Sequence, residues 1–217
     1  MKLQEAGIGE GISEVIVTTQ SAVGMPNAAP VGIITEIDDE QQGKTTHFVK
    51  LYKGSQTLEN VLETSTVAAN VTDDAVLFVK TAFGHLSELN LSEFAGVPVL
   101  AKANAWIVFT TVLIEERSDY FYFQVLPQTV KINKKEVKAI NRGRNAVIEA
   151  TILATRLDLA KDEQEREEML RLIERYREIV EKCGGRREKE AMRVLEEKCS
   201  RLFLAQFDPP PPTRDSD

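Results

Sequence analysis

The stretch "GMPNAAPVGIITEI", Gly24 to Ile37, decides how the first half of this chain is read. Two prolines bracket an asparagine and two alanines, and a β-branched run follows. Proline lacks the N–H that a sheet ladder uses, so it belongs at strand edges, first positions or bulges. Ala28 and Ala29 bring little volume to a core. Small side chains beside an interrupted ladder leave backbone groups open to something flat. A plain strand start at a sheet edge has the same spelling, and on these residues alone both readings stand.

Working outward, the segments around it are mostly β. "EVIVTT" (14–19) precedes a turn at Gly24, and "PVGIITEI" (30–37) leads through the polar turn "DDEQQGK" to "THFVKLY" (46–52). "TVAANV" (66–71), "NAWIVFTTVLIEE" (104–116) and "DYFYFQVL" (119–126) complete the set. Short strands separated by turn signals predict an antiparallel barrel or sandwich. "SQTLENVLET" (55–64) is the clearest helix among them, with Leu58, Val61 and Leu62 as its apolar stripe. Asp73 is placed to cap a short helix through "DAVLFVKTAF".

From about Glu136 the period changes to that of helices. Apolar positions 137, 140, 147, 148 and 152 predict one helix with a buried face. Met169, Leu172, Ile173, Tyr176, Ile179, Val180 and Cys183 form a stripe on a second. After Gly184-Gly185, Ala191, Val194, Leu195, Cys199, Leu202 and Phe203 form a stripe on a third, which predicts an antiparallel helical hairpin. Between Arg156 and Arg201, 13 basic residues are balanced by 13 acidic ones. Such a surface is solvated and laced with pairs such as Glu167–Arg171, Glu178–Lys182 and Glu197–Arg201, not a nucleic-acid patch. The expected division is a barrel over 1–130, a helical region over 131–205 and a mobile tail over 206–217, "DPPPPTRDSD" closing the chain.

Composition excludes several functions. The net charge of −7 argues against non-specific nucleic-acid binding. No run of 18 apolar residues spans a membrane, and the N-terminus lacks a signal-peptide core, so a cytoplasmic protein is expected. Cys183 and Cys199 lie on apolar stripes and, with His47 and His85, make neither a disulfide framework nor a metal site. "GIGEG" (7–11) lacks a preceding strand and reads as a flexible N-terminal segment rather than a phosphate loop.

"LYKGSQTLEN" (51–60) is richer. A strand ends at Tyr52, Gly54 permits a tight turn, and Ser55 or Gln56 opens a helix. Helix N-termini present unpaired N–H groups and a partial positive charge, which together suit a phosphate. Lys53 adds a full charge, and the Ser55 and Thr57 hydroxyls add donors. An ordinary capped helix has the same spelling. Taken with the small-residue strand start at 27–31, the pattern suits a ligand with a flat polar ring at one end and a phosphate at the other.

"VTTQSAVGMPNAAPVGI", "VKLYKGSQTLENVLETSTVAANVTDDAVLF" and "NRGRNAVIEATILATRL", in this order and spacing, resemble an uncharacterised, largely archaeal family of FMN-binding split-barrel proteins. That family is related to flavin reductases and, more distantly, to pyridoxamine-phosphate oxidases. The resemblance covers about 13–155 and implies a mainly β fold with α: an FMN-binding split β-barrel followed by a C-terminal helical region. It implies FMN as cofactor, with the phosphate at Ser55–Asn60 and the isoalloxazine ring against Asn27, Ala28, Ala29, Pro30, Val31 and the strand around Val49–Tyr52.

Lys50, Tyr52, Lys53, Ser55, Gln56, Thr57 and Asn60 are therefore expected at the cofactor, and Asn70 either contacts it or caps a turn. Trp106 either stacks on a partner's ring or lies in the core, and Arg142, Arg144 and Asn145 either close the site or bridge helix to barrel. The resemblance further implies a homodimer with flavin near the subunit interface. The charged hairpin at 160–204 is read as an elaboration at the dimer surface. The function implied is that of an FMN-dependent oxidoreductase with a small-molecule redox partner. A flavin-binding or electron-transfer protein without turnover, and a deazaflavin-binding split barrel, are the alternatives. No residue stands out as an acid or base.

Overall fold

The computed structural model describes residues 3–38, 44–84, 90–135 and 141–205. The chain forms two compact units, residues 1–139 and 140–217. In the first, strands β1 (Gly11–Gln20), β2 (Pro26–Asp38) and β3 (Lys44–Tyr52) lead to helix α1 (Gln56–Thr64). Strand β4 (Thr66–Val71) and helix α2 (Ala75–Ala82) follow, then β5 (Leu91–Phe94), β6 (Val97–Leu100), β7 (Ala105–Glu116) and β8 (Tyr120–Ile132). Six strands close an antiparallel barrel in the order β1-β2-β3-β8-β7-β4, and β5 and β6 form a separate ribbon. The fold class expected from the sequence is the one observed.

Alternation along the strands explains the barrel. Val15, Val17, Ile33, Val49, Ile107 and Phe109 share one parity and are at most 2% exposed, packed in its interior. One polar pair sits in that interior layer: His47 Nδ1 is 2.9 Å from Thr35 Oγ1, and Phe109 lies edge-on to the imidazole. Burial pushes the His47 pKa down, favouring the neutral ring.

A second buried layer lies on the outer side of β1 and β4. Thr18, Ala68 and Asn70 are 0% exposed there, under the β5–β6 ribbon. The Thr18 hydroxyl donates to the Pro98 carbonyl, and Asn70 Oδ1 accepts from the Leu100 N–H at 2.7 Å. The Trp106 indole donates to the Leu100 carbonyl at 2.8 Å and tilts against Phe94, so Trp106 belongs to this core. The ribbon was not expected from the sequence. Its turn, Ala95-Gly96, has both φ angles positive (51° and 78°), and alanine is a poor signal for the mirror-image turn that such angles make.

Local differences from the expected elements have simple causes. The N-terminal segment is a single tight turn, Leu3–Ala6, and Leu3, Ala6 and Ile8 bury their side chains in the barrel core. Hydrophobic burial thus overrides the glycines of "GIGEG". Asp74, not Asp73, caps α2 by accepting from the Val76 and Leu77 N–H groups, while Asp73 accepts from Asn104. Strand β8 runs past Pro127. Its pairing with β3 ends at Phe48↔Gln124, so the proline lies on an edge, beside the register shift between Val108 and Phe109 on β7.

The second unit contains α3 (Arg142–Ala154), α4 (Glu163–Cys183) and α5 (Arg186–Ala205). The buried face of α3 is Gly143, Ala146, Val147, Ala150, Thr151 and Ala154, a stripe of mostly small residues that includes the expected 147 but leaves 148 and 152 half-buried. Gly184-Gly185 joins α4 to α5, and the Lys189–Glu181 (3.1 Å) and Arg177–Glu196 (3.7 Å) pairs run across them, as in an antiparallel hairpin. Glu167–Arg171 pairs at 2.9 Å as expected, but Glu178 takes Arg175 (2.7 Å). Leu172 departs from the α4 stripe and is 48% exposed. Cys183 and Cys199 are free thiols, Cys199 buried with its pKa raised by that burial. Among the described residues no helix is long and apolar enough to cross a membrane. His85, positions 137 and 140, the Leu202 and Phe203 side chains, the Glu197–Arg201 pair and the tail lie outside what is described.

Candidate functional site

The barrel has a break at the stretch first quoted. β2 pairs with β1 along its length, from Thr35 opposite Gly11 to Pro26 opposite Gln20. Its pairing with β3 runs only from Asp38↔Lys44 to Ile33↔Val49. Residues 26–32 therefore have a neighbour on one side only, and Lys50, Leu51 and Tyr52 pair with β8 alone.

Proline sets which backbone groups this edge presents. Pro30 lies opposite Ile16 and cannot donate, so that pair and those two residues away are the non-hydrogen-bonded ones of the β1–β2 ladder. The backbone groups of Pro26, Ala28 and Pro30 consequently face the gap. Two of the three have no N–H, which leaves the Ala28 N–H flanked by carbonyls. Ala28 is 3% exposed, so this donor lies at the bottom of the gap. Asn27, Ala29, Pro30 and Val31 are half-buried around it.

The start of α1 adjoins this gap. Lys53 N–H donates to the Asp119 carbonyl, Gly54 turns with φ 80°, and Ser55 is the N-cap. The Ser55 hydroxyl donates to the Tyr52 carbonyl (2.7 Å) and accepts from the Leu58 N–H (3.3 Å). The cap therefore already engages it, and the first-turn N–H groups of Gln56 and Thr57 are the donors a helix start leaves over.

Two amide bridges fasten this turn to the strands. Asn27 Nδ2 donates to Thr57 Oγ1 at 2.9 Å. Asn60 Nδ2 donates to Thr19 Oγ1 at 3.0 Å, and Asn60 Oδ1 accepts from Gln56 Nε2 at 3.0 Å. Thr19 and Asn27 are themselves cross-strand partners. Thr57, Asn60 and Thr19 are 3%, 1% and 0% exposed. The buried face of α1 thus carries polar residues beside Leu58 and Val61, while the expected stripe member Leu62 is 52% exposed.

Two lysines lie at the mouth. Lys53 Nζ pairs with Glu116 Oε1 at 2.9 Å. Lys50 Nζ lies 3.7 Å over the Tyr120 ring and 5.2 Å over Tyr52. Asn70 is fully buried, and its amide donates to the Ile16 carbonyl and Thr18 Oγ1, both at 2.9 Å. It ties β1, β4 and the ribbon together. Thr19, Glu116 and Tyr120 were not foreseen; only Thr19, a polar residue closing the apolar run "EVIVTT", carried a signal. Arg142, Arg144 and Asn145 open α3 in the second unit, where the Asn141 side chain caps the helix by accepting from the Arg144 N–H.

The break therefore offers a flat ring a carbonyl-and-N–H edge, small side chains on one wall, and a helix start for an anion. An uncharacterized protein of Methanocaldococcus jannaschii, MJ1453, is 26% identical over 199 residues, covering 85% of this chain and 96% of its own. The FMN-bound protein MM1853 of Methanosarcina mazei, in a crystal structure, is 39% identical with a TM-score of 0.78, covering 90% of this chain and 99% of its own. The flavin reductase PheA2 aligns at 19% identity over 61% of this chain and 87% of its own, with a TM-score of 0.46, too remote to bear on the site. Residues 13–134 match the N-terminal domain, and residues 141–197 the remainder, of a protein family of unknown function, and this chain belongs to that family, DUF447.

Proposed function

We propose that this chain is an FMN-binding flavoprotein and that the gap between β2 and β3 serves flavin-dependent oxidoreduction. The observation that carries the reading is the place where the β2–β3 ladder stops: an open edge with one buried N–H meets a helix start with two N–H groups that are uncommitted among the described residues. The FMN-bound relative, 39% identical, supports the choice of ligand. The residues present fit such a group. The Ala28 N–H and its flanking carbonyls suit the alternating edge of a pyrimidine-type ring, and Ala28 and Ala29 leave room for its plane. The N–H groups of Gln56 and Thr57 and the Thr57 hydroxyl suit a phosphate. Lys53, one turn away, exchanges Glu116 for the phosphate.

When bound, FMN supplies hydride and electron transfer at its ring. The chain's part is to hold the ring edge, neutralise the phosphate and keep water from one face. Purified protein is expected to be yellow, or to bind added FMN at about one per chain in preference to riboflavin. Equal affinities for the two would overturn the phosphate end of the reading. Anaerobic mixing with NADH and NADPH then separates an enzyme, whose flavin bleaches at a turnover-competent rate, from a carrier.

The side chains at the gap do not divide an enzyme from a carrier: Asn27, Gln56 and Asn60 carry amides, Lys53 pairs with Glu116, and a bound flavin supplies its own reactivity. A deazaflavin in place of FMN would show in the absorption spectrum of the purified protein.

We also place a second copy of the chain beside the barrel. The pairing of β4 with β7 ends at Thr66↔Thr110, so beyond the Thr111 N–H bond to Ser65 one edge of β7 is open. There Val112, Leu113 and Ile114 are 45%, 47% and 53% exposed, an apolar edge that soluble monomers normally guard. The Glu116 partner of Lys53 belongs to the same strand segment, so such an interface adjoins the mouth of the gap. Sedimentation at micromolar concentration is expected to give about twice the 24.3 kDa chain mass, and a monomer with flavin bound would refute the pairing. A small-molecule redox partner and a cytoplasmic location complete the reading.

A further inference from the structure

We propose that Asn60 is a positioning residue for the phosphate end of the site, acting through Thr19 and Gln56 without touching the ligand. The inference rests on the FMN reading above and goes a step beyond it. Asn60 sits one turn into α1, 1% exposed, with its amide committed to other side chains rather than left open to a ligand. Both polar ends of its amide are engaged. Nδ2 holds Thr19 on β1, and Oδ1 holds the Gln56 side chain in the first turn. Thr19 is in turn the cross-strand partner of Asn27, whose amide holds Thr57.

These contacts form a closed circuit. Two strands and the helix start are fixed to one another by side chains that are mostly sealed from solvent. A polar circuit anchored on the buried Thr19, Thr57 and Asn60, each with a hydrogen-bond partner, specifies one geometry far more narrowly than apolar contact does. What it specifies here is the direction of the α1 N–H groups relative to the open β2 edge. A helix start can hold a phosphate from many angles. Only one holds it while the ring lies against Ala28.

An apolar or purely structural role would have been met more simply by leucine at position 60, on the same face as Leu58 and Val61. An amide there requires two partners in register, and leaving either unmatched would be destabilising. The presence of both, on residues that themselves adjoin the ligand edge, ties the amide to placement.

The test uses two shape-conserving substitutions in the full chain, Asn60→Leu and Thr19→Val, and titrates apoprotein with FMN and with riboflavin. Neither substitution adds charge, so a change in the preference between ligands reports the direction of the helix start. Each is expected to lower FMN affinity about 5- to 20-fold while riboflavin affinity stays within about twofold. The double variant is expected to lose little more than the larger single loss, because both break the same link. An unchanged FMN-to-riboflavin ratio in a folded variant, or equal losses for both ligands, would overturn the assignment. Should Asn60→Leu fail to fold, Thr19→Val decides alone, since it keeps β-branching and volume. A wild-type protein with no preference for FMN would instead refute the flavin phosphate site itself, a result distinct from failure of the Asn60 role.

Discussion

Gly143→Ala is expected to destabilise the helical unit by about 3 kcal/mol, the opposite sign from glycine-to-alanine changes on an open helix face. On such a face alanine is favoured by up to about 1 kcal/mol, because it restricts the unfolded chain and shields the backbone. At Gly143 a Cβ would stand 2.5 Å from the Gly184 Cα and 2.6 Å from its nitrogen. Both are backbone atoms in the two-residue link between α4 and α5, so no side chain can swing away. The start of α3 therefore has to move off the end of α4 along the whole Gly143–Ala154 stripe. Denaturant unfolding followed by far-UV circular dichroism, with amide exchange in α3 and α4, measures the change. Gly9→Ala, where a Cβ would meet nothing within 4 Å, is the control and is expected to shift stability by less than about 0.5 kcal/mol. Stabilisation by Gly143→Ala would show that the helices do not meet there.

The same contact shows what the sequence could and could not reveal. Barrel strands were legible because "EVIVTT" is a β-branched run, "THFVKLY" alternates polar and apolar residues, and turn signals separate such segments. The α4–α5 hairpin was legible from its stripes and its Gly-Gly link. The α3 stripe was not, because close approach selects Gly143, Ala146, Ala150 and Ala154, residues that register weakly on any hydrophobicity pattern. Periodicity pointed instead to Ile148 and Ile152, which are larger and only half-buried.

At the site, turn chemistry and capping were readable: Gly54, Ser55 and the prolines each forced a local geometry. What those prolines do was not readable from the stretch itself. Their effect depends on register, since Pro26 and Pro30 remove donors from the open edge only because Ile16 and Gln20 lie opposite them. Long-range partners were equally hidden. Nothing near Lys53 announces Glu116, 63 residues on, and nothing near Asn60 announces Thr19, 41 residues back. Asn70 is a further case: a polar residue at a strand end suggests a ligand contact or a turn cap, and nothing nearby announces that its amide holds Ile16, Thr18 and Leu100.

Thr57→Val is expected to weaken FMN binding about 5- to 100-fold while leaving riboflavin binding unchanged. Thr57 is the second residue of α1, and among the described residues its hydroxyl oxygen accepts from Asn27 while its hydrogen has no acceptor. The Asn27 amide therefore holds the hydroxyl as a donor, directed away from Nδ2, at a helix start where an anion is favoured. Valine keeps the branching and nearly the same volume, so the 3% exposed side chain still fills its place.

Two effects of this substitution must be separated. Losing the Asn27 bond lowers stability by about 1 kcal/mol whether or not a ligand binds there. That term appears as a lower melting temperature of the unliganded protein, and it is common to both ligands. Losing a donor to a charged phosphate oxygen, about 1.5–3 kcal/mol, appears only with FMN, because riboflavin has no phosphate. The ratio of the two dissociation constants therefore separates the phosphate end of the site, contact and placement together, from the stability of the fold. Ser55→Ala provides the contrast: its hydroxyl already serves the Tyr52 carbonyl and the Leu58 N–H, so its loss frays the helix start with a smaller effect on the ratio. If Thr57→Val leaves the ratio unchanged, the hydroxyl does not face the phosphate, and the anion end of the gap must lie elsewhere than at the first turn of α1.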